Sequence, residues 1–289
     1  MKITFETNIL IIGLGVIGGG YAQALTGKGY TVRCITKEQR DIDYALKNKM
    51  IESGTTEVDE KMIGDADLII FALYPNTFIE WIEKNGHLLT PGTLITDVCG
   101  VKSGIVERVQ SLLPGGVEFI SAHPMAGRER SGVEYSDASV FRGANYIVVP
   151  TGRNSEEAID SCKQLGEILG FGRISILSAE KHDEMIAFLS QLTHIIAVSL
   201  MTCNTDEGLE KYTGDSFRDL TRIAKINEAM WGELFLLNKD ALTREMDSFI
   251  DEMLLFRRML IDGDVEGMKS KMRESTERRA RFDKPSSCT

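Results

Sequence analysis

Gly13-Leu14-Gly15-Val16-Ile17-Gly18 leaves few folds open to this chain, because it follows the apolar run Ile9-Leu10-Ile11-Ile12 directly and opens a segment of helical pattern through Ala22 and Leu25. A strand, a glycine turn and a helix in that order use the three glycines differently. The first makes the turn, the second lets the backbone approach a pyrophosphate, and the third lets helix and strand pack closely. The helix N-terminus then offers unpaired N–H groups and a favourable dipole to the phosphates. Gly13, Leu14, Gly15, Val16, Ile17 and Gly18 are therefore candidate ligands of a dinucleotide, NAD or NADP. A glycine-rich turn without a ligand is the alternative, and the βαβ context argues against it.

Short apolar runs continue to Leu177: Thr31 to Thr36, Leu68 to Leu73, Leu94 to Asp97, Val117 to Ala122 and Tyr146 to Val149, separated by amphipathic stretches. Runs of strand length that are apolar throughout belong to strands buried on both faces, joined by right-handed helical crossovers in a mainly parallel sheet. Residues 1–178 thus read as a Rossmann-type doubly wound α/β domain. After Ser178 the strand pattern stops, and residues 179–289 read as an all-helical domain. Its first helix carries Met185, Leu189, Leu192, Ile196 and Leu200 at helical spacing, an apolar stripe expected to be the buried face. Glycines at 208 and 214 break the helical pattern, and the charged segment Lys269 to Arg281 reads as a solvated helix running into a frayed Ser-Ser-Cys tail.

The 33 basic and 43 acidic side chains give a formal charge of -10, which repels phosphate backbones and argues against a nucleic-acid partner. Five cysteines, Cys34, Cys99, Cys162, Cys203 and Cys288, are odd in number and lack the spacing of a metal site or a disulfide framework. The Ile9–Ile12 run is too short for a signal segment, and no later stretch reads as long enough to span a membrane. The expectation is a soluble cytoplasmic protein with no membrane partner.

Where the second strand ends, NAD enzymes commonly place an acidic residue on the ribose. Here Thr36 takes that position, with Lys37 and Arg40 near enough to meet a 2'-phosphate. Glu38 serving the ribose, or a merely solvated loop, stays open. Open α/β sheets bind ligands beyond the carboxyl ends of their strands. That places Tyr74, Asp97 and Gly100 beside the cofactor and aims His123 into the crevice, where an imidazole can take a proton near neutral pH. On the helix from Asp183, the positions Asp183, Ala187, Gln191 and His194 share one face, a polar ridge expected to meet substrate; solvent exposure is the alternative.

Four runs resemble one family: His123-Pro124-Met125-Ala126-Gly127, Asp97 to Lys102 read as Asp-x-x-x-Val-Lys, Ser190-Gln191-Leu192-Thr193-His194, and Phe217 to Ala224 with Trp231 after it. They are similar, in the same order, to bacterial prephenate dehydrogenases of tyrosine biosynthesis. The resemblance implies oxidative decarboxylation of prephenate to 4-hydroxyphenylpyruvate, with NAD(P) as hydride acceptor and His123 as the base that takes the C4 hydroxyl proton. It implies a helical domain like the C-terminal domain of 6-phosphogluconate dehydrogenase, a substrate site including Arg222, Asp219, Trp231, Gln191, His194 and Asp183, and a homodimer. Arg222 would bind a substrate carboxylate; read from the residues alone, an exposed i,i+3 pair with Asp219 is equally open. The chain leaves no room for the ACT regulatory domain of some relatives, so any tyrosine inhibition is expected at the active site.

Two positions depart from the family. Many relatives carry Ser where this chain has Gly100, which leaves Ser103 or a water to assist His123. Some carry His where this chain has Gln191, which leaves arogenate open as the substrate. Other dehydrogenases of this two-domain build would call for a catalytic lysine on the helix that here carries Gln191 and His194, and a silent dinucleotide sensor has no need of His123.

Overall fold

The computed structural model describes residues 1–127 and 130–283, so Cys288 and the Ser-Ser-Cys tail lie outside the described residues. By compactness the chain divides into Met1–Lys239 and a second unit from Asp240 onward.

The first unit begins with β1 (Ile9–Ile12), α1 (Val16–Thr26), β2 (Val32–Ile35), α2 (Gln39–Lys47), β3 (Ser53–Thr55), α3 (Glu60–Gly64), β4 (Leu68–Phe71), α4 (Pro75–Asn85), β5 (Leu94–Asp97), α5 (Ile105–Leu112) and β6 (Glu118–Phe119). The six strands form one parallel sheet in the order β3-β2-β1-β4-β5-β6, the doubly wound topology expected from the apolar runs. β1 shows why these residues make a central strand. Ile9 and Ile11 enter one apolar cluster, Leu10 and Ile12 the other, and each fully buried side chain of this size contributes about 1.5 to 3 kcal/mol.

The apolar run Val117 to Ala122 is not one strand. It splits at Ile120 into β6 and β7 (Ser121–Met125), and β7 joins β8 (Asn145–Val149) and β9 (Arg173–Ile176) in a separate three-stranded sheet. β7 runs antiparallel to β8 with His123 opposite Ile147, while β8 and β9 are parallel. The split comes where Ser121 Oγ and the Ala122 amide donate to Asp97 at the end of β5. α6 (Glu156–Leu169) connects β8 to β9.

The helical part follows as α7 (Ala179–Ile186), a π-helical turn (Ala187–Leu192), α8 (Thr193–Thr202), α9 (Asp215–Thr221) and α10 (Glu228–Leu237). Together Ala179–Thr202 form one helix of 24 residues, long and apolar enough by composition to cross a membrane, which corrects the expectation that no segment reaches that length. The run nevertheless buries His182, Asp183 and Gln191, and the latter two hydrogen-bond to other parts of the first unit. Its burial also departs from the expected pattern, although Leu192 of the apolar stripe is buried at 3%. Ala187 and Gln191, together with Asp183, are buried, whereas Leu189 of the apolar stripe is 46% exposed. The π turn, with its wider i,i+5 spacing, breaks the i,i+4 arithmetic on which the stripe was drawn.

The second unit holds most of α11 (Lys239–Asp262) and all of α12 (Val265–Arg279), with Lys271 paired to Glu252 across them. It exposes Ile250, Met253, Leu254, Leu260, Ile261 and Met272.

Candidate active site

The glycine turn has the shape its sequence requires. Gly13 has φ +95°, and a Cβ there would sit 2.5 Å from the Ala72 carbonyl oxygen; at Gly18 it would meet the Gly13 carbonyl. A Cβ on Gly15, by contrast, would meet nothing within 4 Å. The turn is thus tight against strand and helix and open at Gly15, the position where the sequence leads one to expect a pyrophosphate. Gly15, Val16 and Ile17 are partly exposed at the start of α1, whose first amides have no intrahelical acceptor. Leu14 differs from its neighbours: its side chain is buried and its amide donates to Thr36 Oγ1 at 3.2 Å. Thr36 therefore braces the glycine turn from the end of β2. Lys37, Glu38 and Arg40 are exposed beside it, and Arg40 makes a 3.6 Å contact with Asp41.

His123 lies on β7 with its Nδ1 2.8 Å from His182 Nε2, and His182 Nδ1 lies 2.7 Å from Asp183 Oδ1. Asp183 also accepts from the Lys102 amide at 2.9 Å and the Ser103 amide at 2.7 Å. Burial alone would raise the Asp183 carboxyl, but the hydrogen bonds from His182 and Ser103 outweigh it and hold the group below the usual range. Burial, with His182 and the Lys102 cation added, pushes His123 well below the ordinary imidazole value; His182 is lowered by burial although Asp183 opposes it.

These directions fix the protons. An ionised Asp183 can only accept, so His182 Nδ1 carries hydrogen; a neutral His182 then accepts at Nε2, so His123 Nδ1 carries hydrogen. His123 Nε2 is left with its lone pair. It faces Gly100, where an added Cβ would stand 3.8 Å away, with Leu234 at 3.7 Å on the other side. The arrangement presents a neutral base next to the half-buried Gly100, which has no side chain of its own, with its tautomer set by a carboxylate two residues removed.

Sequence reasoning missed His182. The signal was present, since the chain has only four histidines and this one adjoins Asp183. Four other expectations are corrected. Asp183 does not face substrate: it is 2% exposed, with both oxygens engaged behind His182. Gln191 is equally closed off, its amide donating to the Leu234 carbonyl at 2.9 Å and accepting from Asn238 at 2.8 Å. Asp97 does not reach a cofactor, because its buried carboxylate takes hydrogen bonds from Cys99, Lys102, Ser121 and Ala122. Ser103, offered as a stand-in for the hydroxyl absent at Gly100, hydrogen-bonds to Asp183 through its side chain as well as its amide.

The structure does bring others together. The His194 and Trp231 rings stack at 3.8 Å, and His194 Nδ1 lies 2.8 Å from the Ser190 carbonyl oxygen. Tyr74 caps α4 and is tied to Asn227 before α10, while Glu233 of α10 accepts from the Asn76 amide at 2.6 Å. Arg222 and Asp219 are exposed at the end of α9, and the turn that starts at Arg222 packs against α8.

Known proteins are similar to this chain over most of its length. Residues 21–173 match the family described as "Prephenate dehydrogenase, nucleotide-binding domain" and residues 178–274 match "Prephenate dehydrogenase, dimerization domain". Prephenate dehydrogenase of Bacillus subtilis is 30% identical over 91% of this chain and 72% of its own length. Cyclohexadienyl dehydrogenase of Zymomonas mobilis is 29% identical over 96% of each. A crystal structure of prephenate dehydrogenase from A. aeolicus, in complex with hydroxyphenyl propionate and NAD+, is 28% identical and superposes with a TM-score of 0.89, covering 98% of this chain and all of that one. With both halves matched in order, the chain belongs to the prephenate dehydrogenase family.

Proposed function

We propose that the chain oxidises prephenate to 4-hydroxyphenylpyruvate, with His123 Nε2 taking the proton of the C4 hydroxyl as the ring carboxylate leaves as CO2. The observation that carries this reading is the Asp183-His182-His123 relay, which leaves one imidazole lone pair directed at Gly100, where no side chain stands. When bound, the nicotinamide dinucleotide supplies the hydride acceptor. The residues suited to hold it are Gly15, Val16 and Ile17 at the phosphates and Thr36, Lys37 and Arg40 at the ribose, with Gly13 and Gly18 shaping the turn and Tyr74 and Gly100 flanking it. Arg222, with Asp219, His194 and Trp231, forms the substrate end; the guanidinium suits a carboxylate bidentately.

Functionally, residues 1–178 bind the dinucleotide and residues 179–289 complete the substrate site and pair two copies. The exposed Phe188, Leu189, Leu220 and Leu236, and the apolar surface of α11, are the kind of area a second subunit covers. That the long apolar helix packs within the protein and does not cross a membrane is supported by its being tied into the first unit through buried polar groups, and the reading carries with it a soluble cytoplasmic homodimer. NADP serves at least as well as NAD, because position 36 has no carboxylate and Lys37 and Arg40 are both exposed at the end of β2.

The test is formation of reduced dinucleotide when pure protein meets prephenate or arogenate with NAD or NADP in turn. Turnover of prephenate with either dinucleotide is expected; no turnover of prephenate overturns the reading. Lys37→Ala with Arg40→Ala should weaken NADP and spare NAD, whereas equal loss of both would assign the basic pair to a solvated loop.

A further inference from the structure

The one fully buried cation described in the molecule is not explained by the relay itself. Lys102 and Asp97 have no exposed side-chain surface, and Lys102 Nζ donates to Asp97 Oδ2 at 2.9 Å and to the Ala122 carbonyl at 2.7 Å. Desolvating the two charges offsets most of their attraction, so a well-packed apolar pair could replace both at little loss of stability, whereas removing Lys102 alone would leave Asp97 buried without its partner. What an apolar side chain cannot do is hold backbone groups. Asp97 Oδ1 accepts from the Ala122 amide at 3.0 Å while Lys102 takes the Ala122 carbonyl, so both polar atoms of the residue before His123 are fixed by this pair. That carbonyl belongs to the peptide unit that carries the His123 nitrogen. The Lys102 amide, in turn, donates to both oxygens of Asp183, at 2.9 and 3.2 Å.

We propose that Lys102 is a positioning residue for the proton acceptor: its ammonium fixes the peptide unit from which His123 projects, and its amide fixes the carboxylate at the far end of the relay. One residue thereby sets both ends of a three-residue chain whose members come from β7 and α7. The inference rests on His123 being the base of the proposed reaction. The ionisable groups that act on that imidazole are His182 of α7 and Lys102 from the loop after β5, and those that act on His182 in turn are Asp183, Lys102 and Asp97. Of these Lys102 is the cation, and its field favours the uncharged imidazole, an effect that adds to burial.

The experiment compares wild type, Lys102→Met, Lys102→Gln and His123→Asn for kcat, for kcat/KM against pH with prephenate, and for dinucleotide Kd by fluorescence. Misplacing the base lowers kcat by on the order of tenfold to hundredfold in both Lys102 variants. The acid limb of kcat/KM moves to higher pH, because an imidazole without the neighbouring cation protonates more readily, and dinucleotide Kd is unchanged. A purely structural role would lower activity and dinucleotide binding together without moving the acid limb, and that outcome overturns the proposal. Wild-type kcat in either Lys102 variant overturns it as well. Failure of both variants to fold would assign the pair to the fold instead and also overturns it. If wild type itself does not turn over prephenate, the functional reading fails; if wild type is active and the Lys102 variants match it, only the role of Lys102 fails.

Discussion

The glycine turn and the proton relay are built in opposite ways. Six consecutive residues make the turn, and its requirements are local: a positive φ at Gly13, no room for a side chain at Gly18, open space at Gly15. The relay joins His123 to a histidine 59 positions later, and its end is set by amides at Lys102 and Ser103, some 80 positions from Asp183. The turn is complete once β1 and α1 pack with the ends of the neighbouring strands β2 and β4. The relay exists only once α7 has docked against the loop that follows β5. Binding of a dinucleotide and acceptance of a proton should therefore be separable by substitution.

His123→Asn gives the largest expected separation. Loss of the base should lower kcat by on the order of a hundredfold to ten-thousandfold, while dinucleotide Kd, read by fluorescence titration, stays as in wild type. A variant that loses both together would break the comparison. Asp183→Asn should act through the protons without touching substrate. Its amide presents a hydrogen where His182 Nδ1 or a backbone amide needs an acceptor, so kcat should fall by on the order of tenfold to hundredfold. An unsatisfied buried donor should also lower unfolding free energy by about 1 to 3 kcal/mol in urea titration.

The substrate end gives a smaller effect of a different kind. Arg222→Ala should raise KM for prephenate by roughly tenfold to a hundredfold, the loss of a charge-assisted contact of about 1.5 to 3 kcal/mol, with a lesser change in kcat. An unchanged KM would return Arg222 to the helix surface. The smallest effect is expected from Gly100→Ser. Its Cβ would meet Leu234 and His123 Nε2 at ordinary contact distances, so the fold should accept it, and a hydroxyl beside Nε2 should change kcat by less than about tenfold. A much larger loss would show that the space at Gly100 is itself needed by substrate.

The same contrast explains what could be read in advance. β1, the glycine turn and α1 were legible because a buried parallel strand is apolar throughout and its turn is punctuated by glycine. β3 and β9 were not, since Ser53–Thr55 and Arg173–Ile176 are only partly buried or exposed and carry no such run. The run Val117 to Ala122 read as one strand because its apolar pattern does not register the break at Ile120, where hydrogen bonds to Asp97 draw the chain into a second sheet. On the helix after Ser178 the i,i+4 spacing read as a polar ridge expected to meet substrate. The π turn and the polar partners waiting for Asp183 and Gln191 bury it instead. His123 was legible from its place beyond a strand end. His182 was not, because its role depends on a contact across the fold and not on its neighbours in sequence.

The central claim is that His123 acts as a neutral base held by His182 and Asp183, and it is tested most directly by kcat/KM for prephenate as a function of pH in wild type and His123→Asn. The folded-state value of His123 is depressed, so the base remains unprotonated through the ordinary imidazole range and activity should fall only at pH values below it. The residual activity of His123→Asn should lack that limb. A wild-type limb at or above the ordinary imidazole value, or the same limb persisting in His123→Asn, would contradict the account.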